Sequence, residues 1–450
     1  YLINSPVVRG ENLRFREEGV KELLKDVFLP WFNAYRFFVQ NVQLYEHQSS
    51  ETFALTTDAS DNVMDKWIES FTTSLVKFVR KEMSEYHLYA VVPPLTRFFD
   101  TLTNCYIRLN RRRIKGDDGE SDRQRSLSAL GRVLITITRL MAPFTPFFCE
   151  HIWKNLSKVA GSSATSIHLE RLPKETENTI DEEVERRVAA MRETIDLVRV
   201  IRERNKRPIK TPLRTVVVIN RDEQFLSDLQ SLEPYLLGET NVRSLVVSQD
   251  KEKYGITLKA EPNFKLLGAR LKGDQKKVAE YLKSKVTEAE LEKLLTEGRV
   301  NVLGFDLSSE EVAVSYASKA GAGCEGFESA SNARTIVMLD CNLDEELEKE
   351  GVLREVTNRV QRARKEAKLV STDAASVYLE FASKTSKVAS WVEADKARLE
   401  AATGTPITIG TLPKDTKAPC VVSQSTELKE EKITVHLISH VERRDDGAVS

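Results

Sequence analysis

The sequence predicts a multidomain chain, an all-α helical bundle followed by mixed α/β subdomains. Apolar residues recur at helical spacing through roughly the first 175 residues. The run Thr215-Val216-Val217-Val218-Ile219 then marks a change of character, because β-branched residues in an unbroken apolar run favour a buried strand. Beyond it, strand-length runs alternate with helical patterns. The boundaries drawn are 1–178 for the bundle, 179–212 for a linking helix and basic linker, 213–310 for one α/β subdomain and 311–450 for a second, with a frayed tail over its last ten residues.

Within the bundle, Val20, Leu23, Leu24, Val27, Trp31, Ala34, Tyr35, Phe38, Val42 and Tyr45 share one helical stripe, and Pro30 is expected to kink it. Residues 46–62 are polar and read as a loop. A second helix starts near 63, with Trp67, Ile68, Phe71, Leu75, Phe78 and Val79 inward. A third starts or kinks at Pro93-Pro94, buries Leu95, Phe98, Phe99, Leu102, Cys105, Tyr106 and Leu109, and stops near Gly116. Asp117-Asp118-Gly119 is a turn, and Ser121 with Gln124 has the spacing of a capping box. Leu127, Leu130, Leu134, Ile137 and Met141 form the next stripe, and a short helix follows Pro143 and Pro146.

A long helix from Asp181 turns Val184, Val188, Met191, Ile195 and Val198 inward and ends in Arg202-Glu203-Arg204-Asn205-Lys206-Arg207-Pro208. Beyond 215–219, strands are expected near 242–248, 254–260, 311–317, 334–340, 375–381 and 433–439, and helices near 221–237, 274–297, 344–369 and 384–401.

Composition narrows the function. Lys plus Arg total 67 against 68 Asp plus Glu, a formal net charge of −1, so any site for a polyanion has to be a local patch. Five cysteines, at 105, 149, 324, 341 and 420, lie too far apart in sequence for a CxxC zinc pattern and suit free thiols in a reducing compartment. No apolar run reaches membrane-spanning length. Residue 1 is Tyr within the apolar segment Tyr1-Leu2-Ile3-Asn4-Ser5-Pro6-Val7-Val8, which reads as the interior of a longer protein.

Gly321-Ala322-Gly323-Cys324-Glu325-Gly326 matches G-x-G-x-x-G, but it leads into another strand and not a helix, so it reads as a hairpin connection. His151 and His168 are isolated and Cys105 lies on the apolar stripe, which are structural placements.

Three basic patches remain. Residues 108–139 hold nine Lys/Arg against four acids, 192–214 hold eight against three, and 354–368 hold six against two. In the first, Arg108, Arg111 and Arg112 lie off the apolar stripe, with Arg113 and Lys115 adding charge and Asn110 offering a donor and an acceptor to a base edge. The second contributes Arg202, Arg204, Lys206 and Arg207. In the third, Leu353, Val356, Val360, Ala363 and Ala367 form the buried stripe, while Arg354, Asn358, Arg362 and Lys365 share another side. Such patches suit phosphate backbones, although cations also collect at helix C-termini and on solvated faces for purely local reasons.

Three pieces of the bundle carry a family resemblance: Asp65-Lys66-Trp67-Ile68, Tyr106-Ile107-Arg108-Leu109-Asn110-Arg111-Arg112-Arg113, and Leu140-Met141-Ala142-Pro143-Phe144-Thr145-Pro146-Phe147. Together they resemble the anticodon-binding domain of class Ia aminoacyl-tRNA synthetases. The opening segment through Phe15, together with Arg207-Pro208-Ile209-Lys210-Thr211-Pro212-Leu213, Asn263-Phe264-Lys265-Leu266-Leu267-Gly268 and Glu350-Gly351-Val352-Leu353-Arg354-Glu355-Val356, is similar to the cytosolic, eukaryotic-type isoleucyl branch.

The resemblance implies a cytoplasmic protein that grips tRNA(Ile) beside its own N-terminal catalytic domain. It implies ATP and Mg²⁺ as cofactors of the full-length ligase and none for this part alone. The family's HIGH and KMSKS motifs do not occur here; Lys384-Thr385-Ser386-Lys387 is a chance likeness. The other expectations left open are the equivalent region of a valyl or leucyl enzyme, and a non-catalytic RNA-binding or scaffold protein.

Overall fold

The computed structural model describes residues 1–3, 5–56, 58, 60–175, 179–318, 326–332, 334–343, 345–369, 373–382, 386–413, 419–428 and 431–440. The glycine motif apart from Gly326, Lys384 and Thr385, and the tail after 440 lie outside the described residues. The chain divides into two compact units, Tyr1–Arg192 and Glu193–Ser450.

The first unit is helical. It comprises α1 (Glu17–Leu23), α2 (Leu29–Ser49), α3 (Val63–Ser84), α4 (Leu88–Thr101), α5 (Arg108–Lys115), α6 (Glu120–Met141), α7 (Pro146–Val159) and the first part of α8 (Glu182–Arg204). Its interior is aromatic. Trp31 stacks on Phe99 at 4.6 Å and Phe71 on Phe98 at 5.8 Å, between ring centroids. Proline lacks the N–H of a regular helix turn, and the turn before Pro30 is π-type, over Leu24–Phe28. A second π-type segment, Leu102–Ile107, joins α4 to α5. α4 starts at Leu88, before the two prolines, and carries both inside. The capping box expected at Ser121 is not formed. The N-cap is Gly119, two residues earlier, and its carbonyl accepts from the Arg123 amide at 3.0 Å.

The second unit contains two four-stranded sheets. β1 (Leu213–Asn220) pairs in parallel with β2 (Val242–Ser248), the crossover being α9 (Glu223–Ser231) and α10 (Glu233–Thr240). Next come β3 (Ile256–Pro262), α11 (Phe264–Leu271), α12 (Gln275–Ser284), α13 (Glu288–Glu297), the hairpin β4 (Arg299–Val302) and β5 (Phe305–Ser308), and β6 (Val312–Ser318), which pairs with β3. Leu267, Val278, Leu282, Leu291 and Leu294 close a separate core there. The chain then returns to the first sheet with β7 (Phe327–Ser331) and β8 (Thr335–Asp340), giving the order β2-β1-β8-β7. That sheet joins strands from both sides of residue 310, where local sequence pattern places a boundary.

The last segment folds around α14 (Glu345–Glu366). It adds β9 (Ala375–Phe381), α15 (Lys387–Ala394), α16 (Lys396–Thr403), β10 (Ile407–Ile409), β11 (Cys420–Leu428) and β12 (Glu431–Ser439). The sheet order is β10-β9-β12-β11. Val356, Val360 and Ala363 of α14 bury against Val377, Leu379, Val435 and Leu437 of the sheet.

Candidate nucleic-acid interface

α5 is a short helix with two opposed faces. Arg108, Arg111, Arg112 and Lys115 are exposed and follow the i, i+3, i+4, i+7 spacing of one face. The Arg111 guanidinium lies 5.3 Å from the ring centroid of Phe37 on α2, and Arg112 Nε is 3.3 Å from Asp117 Oδ2. Gly116 ends the helix in the left-handed region, at φ 94°. The Gly116 amide donates to the Arg113 carbonyl at 2.9 Å and the Asp117 amide to the Arg112 carbonyl at 3.1 Å, the paired bonds of a Schellman cap. Of these four cations, Arg112 and Lys115 lie in the last turn of α5, where they also meet the negative end of its dipole.

The inner face carries a buried polar network. Asp65, on the apolar stripe of α3, is fully buried at 0% exposure. Its Oδ1 accepts from the Tyr106 hydroxyl at 2.7 Å and from Arg113 Nη1 at 3.2 Å; its Oδ2 accepts from Ser60 at 2.6 Å and from Arg113 Nη2 at 3.0 Å. Arg113 also donates to Asp122 from Nε at 2.8 Å and from Nη2 at 2.6 Å, and to Asn110 Oδ1 from Nη1 at 2.7 Å. All five guanidinium N–H groups are thereby used. Burial works to lower the Arg113 pKa, but the bonds to Asp122 and Asp65 outweigh it, and the net direction is upward. Burial, then the Asp65 charge, pushes the Tyr106 hydroxyl well above its ordinary value.

Two residues assigned to base and phosphate contact are therefore internal. Asn110 is 0% exposed, its amide donating to the Tyr106 carbonyl at 2.9 Å. The reason is the π-type segment before α5. Its wider turn takes up an extra residue and delays the helical phase, so Asn110 takes the inward position that a regular helix would give Leu109. Arg113 is 8% exposed, seven residues after the buried Tyr106 and on the same face. The signal for this pairing was present in the sequence, since Asp65 sits one turn before Ile68 on the α3 stripe.

In the second patch, Arg204 and Lys206 are exposed and Arg207 is half-buried. Arg202 is 3% exposed and donates to the carbonyls of Pro208, Thr211, Thr240 and Asn241 at 2.7–3.2 Å. Burial pushes its pKa down to about 10. It is a structural tie holding the end of α8 to the loop before β1, buried where the sequence reading placed an exposed cation. In the third patch, Arg354, Asn358, Arg362 and Lys365 are all exposed on one side of α14, opposite the core. The neighbouring Arg364 is turned inward to Thr405 at 2.7 Å.

Comparison with known proteins accords with this arrangement. Residues 65–217 match the family described as the anticodon-binding domain of tRNA ligase. That match starts at Asp65, the residue on which the buried network converges. The chain is 63% identical over 98% of its length to the cytoplasmic isoleucine-tRNA ligase of Caenorhabditis elegans, covering 38% of that protein. Over nearly its whole length it matches one part of an isoleucine-tRNA ligase. The cytoplasmic ligase of Mus musculus is 42% identical over 97% of the chain, with 35% of that protein covered. That of Saccharomyces cerevisiae is 40% identical over 83% of the chain, with 36% covered. The chain thus spans less than two fifths of the length of these ligases. No helix among the described residues is long and apolar enough to cross a membrane.

Proposed function

We propose that this chain is the tRNA-gripping region of a cytoplasmic isoleucine-tRNA ligase, and that its helical unit holds the anticodon stem-loop of tRNA(Ile). The observation that carries this is the pairing of faces on α5. A buried, hydrogen-bonded network of Arg113 with Asp65 and Asp122 fixes the helix from within, and Arg108, Arg111, Arg112 and Lys115 project from the opposite side. Guanidinium forks bind phosphate oxygens bidentately and stack on unpaired bases, the two contacts an anticodon loop offers. Arg204, Lys206 and Arg207, and the outer side of α14, extend the reading as positioning contacts to the backbone.

In the full-length ligase the partner of this region is the catalytic domain, which would use ATP and Mg²⁺ to join isoleucine to the tRNA. None of the 450 residues forms the HIGH or KMSKS motif, so no step of adenylate chemistry is assigned to them.

The test is filter binding of a tRNA(Ile) transcript across a salt series. Replacing Arg108, Arg111 and Arg112 together with Ala should weaken binding and lower the log–log salt slope by about 0.9 for each phosphate that the variant no longer neutralises. An unchanged slope rules out contact by α5.

A further inference from the structure

A cavity of about 220 Å³ opens between α14 and α16, and its lining is unlike that of the three basic patches. Leu353, Leu399 and Ala402 form an apolar floor, and Arg354 and Arg398 stand at its rim with the Thr357 hydroxyl beside them. Glu350 is the one acid among the lining residues, and it is engaged: Arg243 bonds one of its oxygens, and Arg354 Nη2 lies 3.8 Å from the other. Arg398 is exposed, with no salt bridge among the described residues. The rim therefore carries a free guanidinium and a loosely paired one over a small apolar surface.

We infer that this pocket takes a single unpaired nucleotide of RNA, its phosphate on Arg354 and Arg398 and its base or ribose face against Leu353, Leu399 and Ala402. Simpler occupants would use only half of the lining. A bare anion would meet the guanidinium groups and leave the apolar floor to water, and an apolar ligand would cover the floor and leave both guanidinium groups to water. A nucleotide presents both kinds of surface, an anionic phosphate beside a flat base, and recognition of single-stranded RNA proceeds through splayed nucleotides of this kind. Lying on the α14 side that also carries Arg354, the pocket gives that surface a located contact that does not read sequence, because an aliphatic floor accepts the face of any base. The inference rests on the reading of the chain as tRNA-binding.

The experiment compares the 450-residue wild type with Arg398→Glu and Ala402→Phe in filter binding of tRNA(Ile) at several salt concentrations. Arg398 and Ala402 are exposed, and unchanged circular dichroism and melting midpoints would verify that both variants fold. Arg398→Glu removes the phosphate partner. Ala402→Phe leaves the charge intact and fills the floor. Each is expected to weaken binding about three- to tenfold and to lower the salt slope by about 0.7, the value for one contact to a single strand. A surface acting by charge alone would respond to Arg398→Glu and ignore Ala402→Phe. Wild-type affinity in Ala402→Phe, or in Arg398→Glu, overturns the pocket while leaving the wider reading standing. Failure of the wild type to bind any tRNA overturns that reading and the pocket with it.

Discussion

A guanidinium held between two carboxylates with every N–H group used is rigid, and Arg113 with Asp65 and Asp122 meets that description. Removing one partner of such a buried pair costs about 3–5 kcal/mol, because the other charge is left without compensation. The network also governs Tyr106. Its folded pKa lies well above the ordinary 10.0, so its stabilising contribution is fully present below pH 10 and is lost as pH rises through the folded value. Among the eleven tyrosines, Tyr106 should stay protonated when exposed ones ionise. Difference spectroscopy of wild type and Tyr106→Phe at about pH 11 should therefore count the same number of tyrosinates while the protein is folded. One extra tyrosinate in the wild type would mean that burial, with Asp65 beside it, does not keep the hydroxyl protonated. Legibility at this scale was partial. The outward Arg108, Arg111 and Arg112 followed from 3.6-residue spacing, whereas Asn110 was misplaced because a π-type turn, invisible in the side-chain pattern, shifts the phase.

At the level of elements, α5 depends on its stop signal. Gly116 is left-handed, and a Cβ built on it would sit 3.0 Å from Arg123 Cδ. Gly116→Ala should therefore cost about 1 kcal/mol or more through backbone strain alone, read as a lowered melting midpoint. An unchanged midpoint would show that the cap contributes little. Helices and central strands were readable for a shared reason. The helices bury one face with a clear period, and the central strand β1 is buried on both faces, so that Val216, Val217 and Val218 form an unbroken apolar run. The strands that escaped notice were the β4–β5 hairpin and three sheet-edge strands, β7, β10 and β11. β7 reads Phe327-Glu328-Ser329-Ala330-Ser331 and β11 is mostly polar. An edge strand pairs along one side only, and its backbone hydrogen bonds can hold a sequence with little apolar signal. The subdomain boundary near 310 failed for a related reason. The return of β8 to β1 is a long-range pairing, which local pattern does not encode.

For the whole molecule, a formal net charge of −1 makes the distribution of charge decide what the total does not. Two triple variants separate the effects: Arg108, Arg111 and Arg112 to Ala on α5, and Arg354, Arg362 and Lys365 to Ala on α14. Each removes three positive charges, so a protein that met RNA through its overall field would respond to both alike. Competition binding of tRNA(Ile) against a non-cognate tRNA should instead tell them apart. Contacts to phosphates position a nucleic acid without reading it, and contacts to unpaired bases discriminate. The α14 variant should therefore weaken both tRNAs by similar factors. The α5 variant should weaken tRNA(Ile) more, because Arg111, carried on a helix fixed from within and packed against Phe37, is placed to stack on a base. Asn110 is buried against Tyr106 and Arg113, so the proposed reading places discrimination on the outer face of α5 instead. If the α14 variant changes the ratio of affinities and the α5 variant does not, the reading and gripping surfaces are assigned the wrong way round.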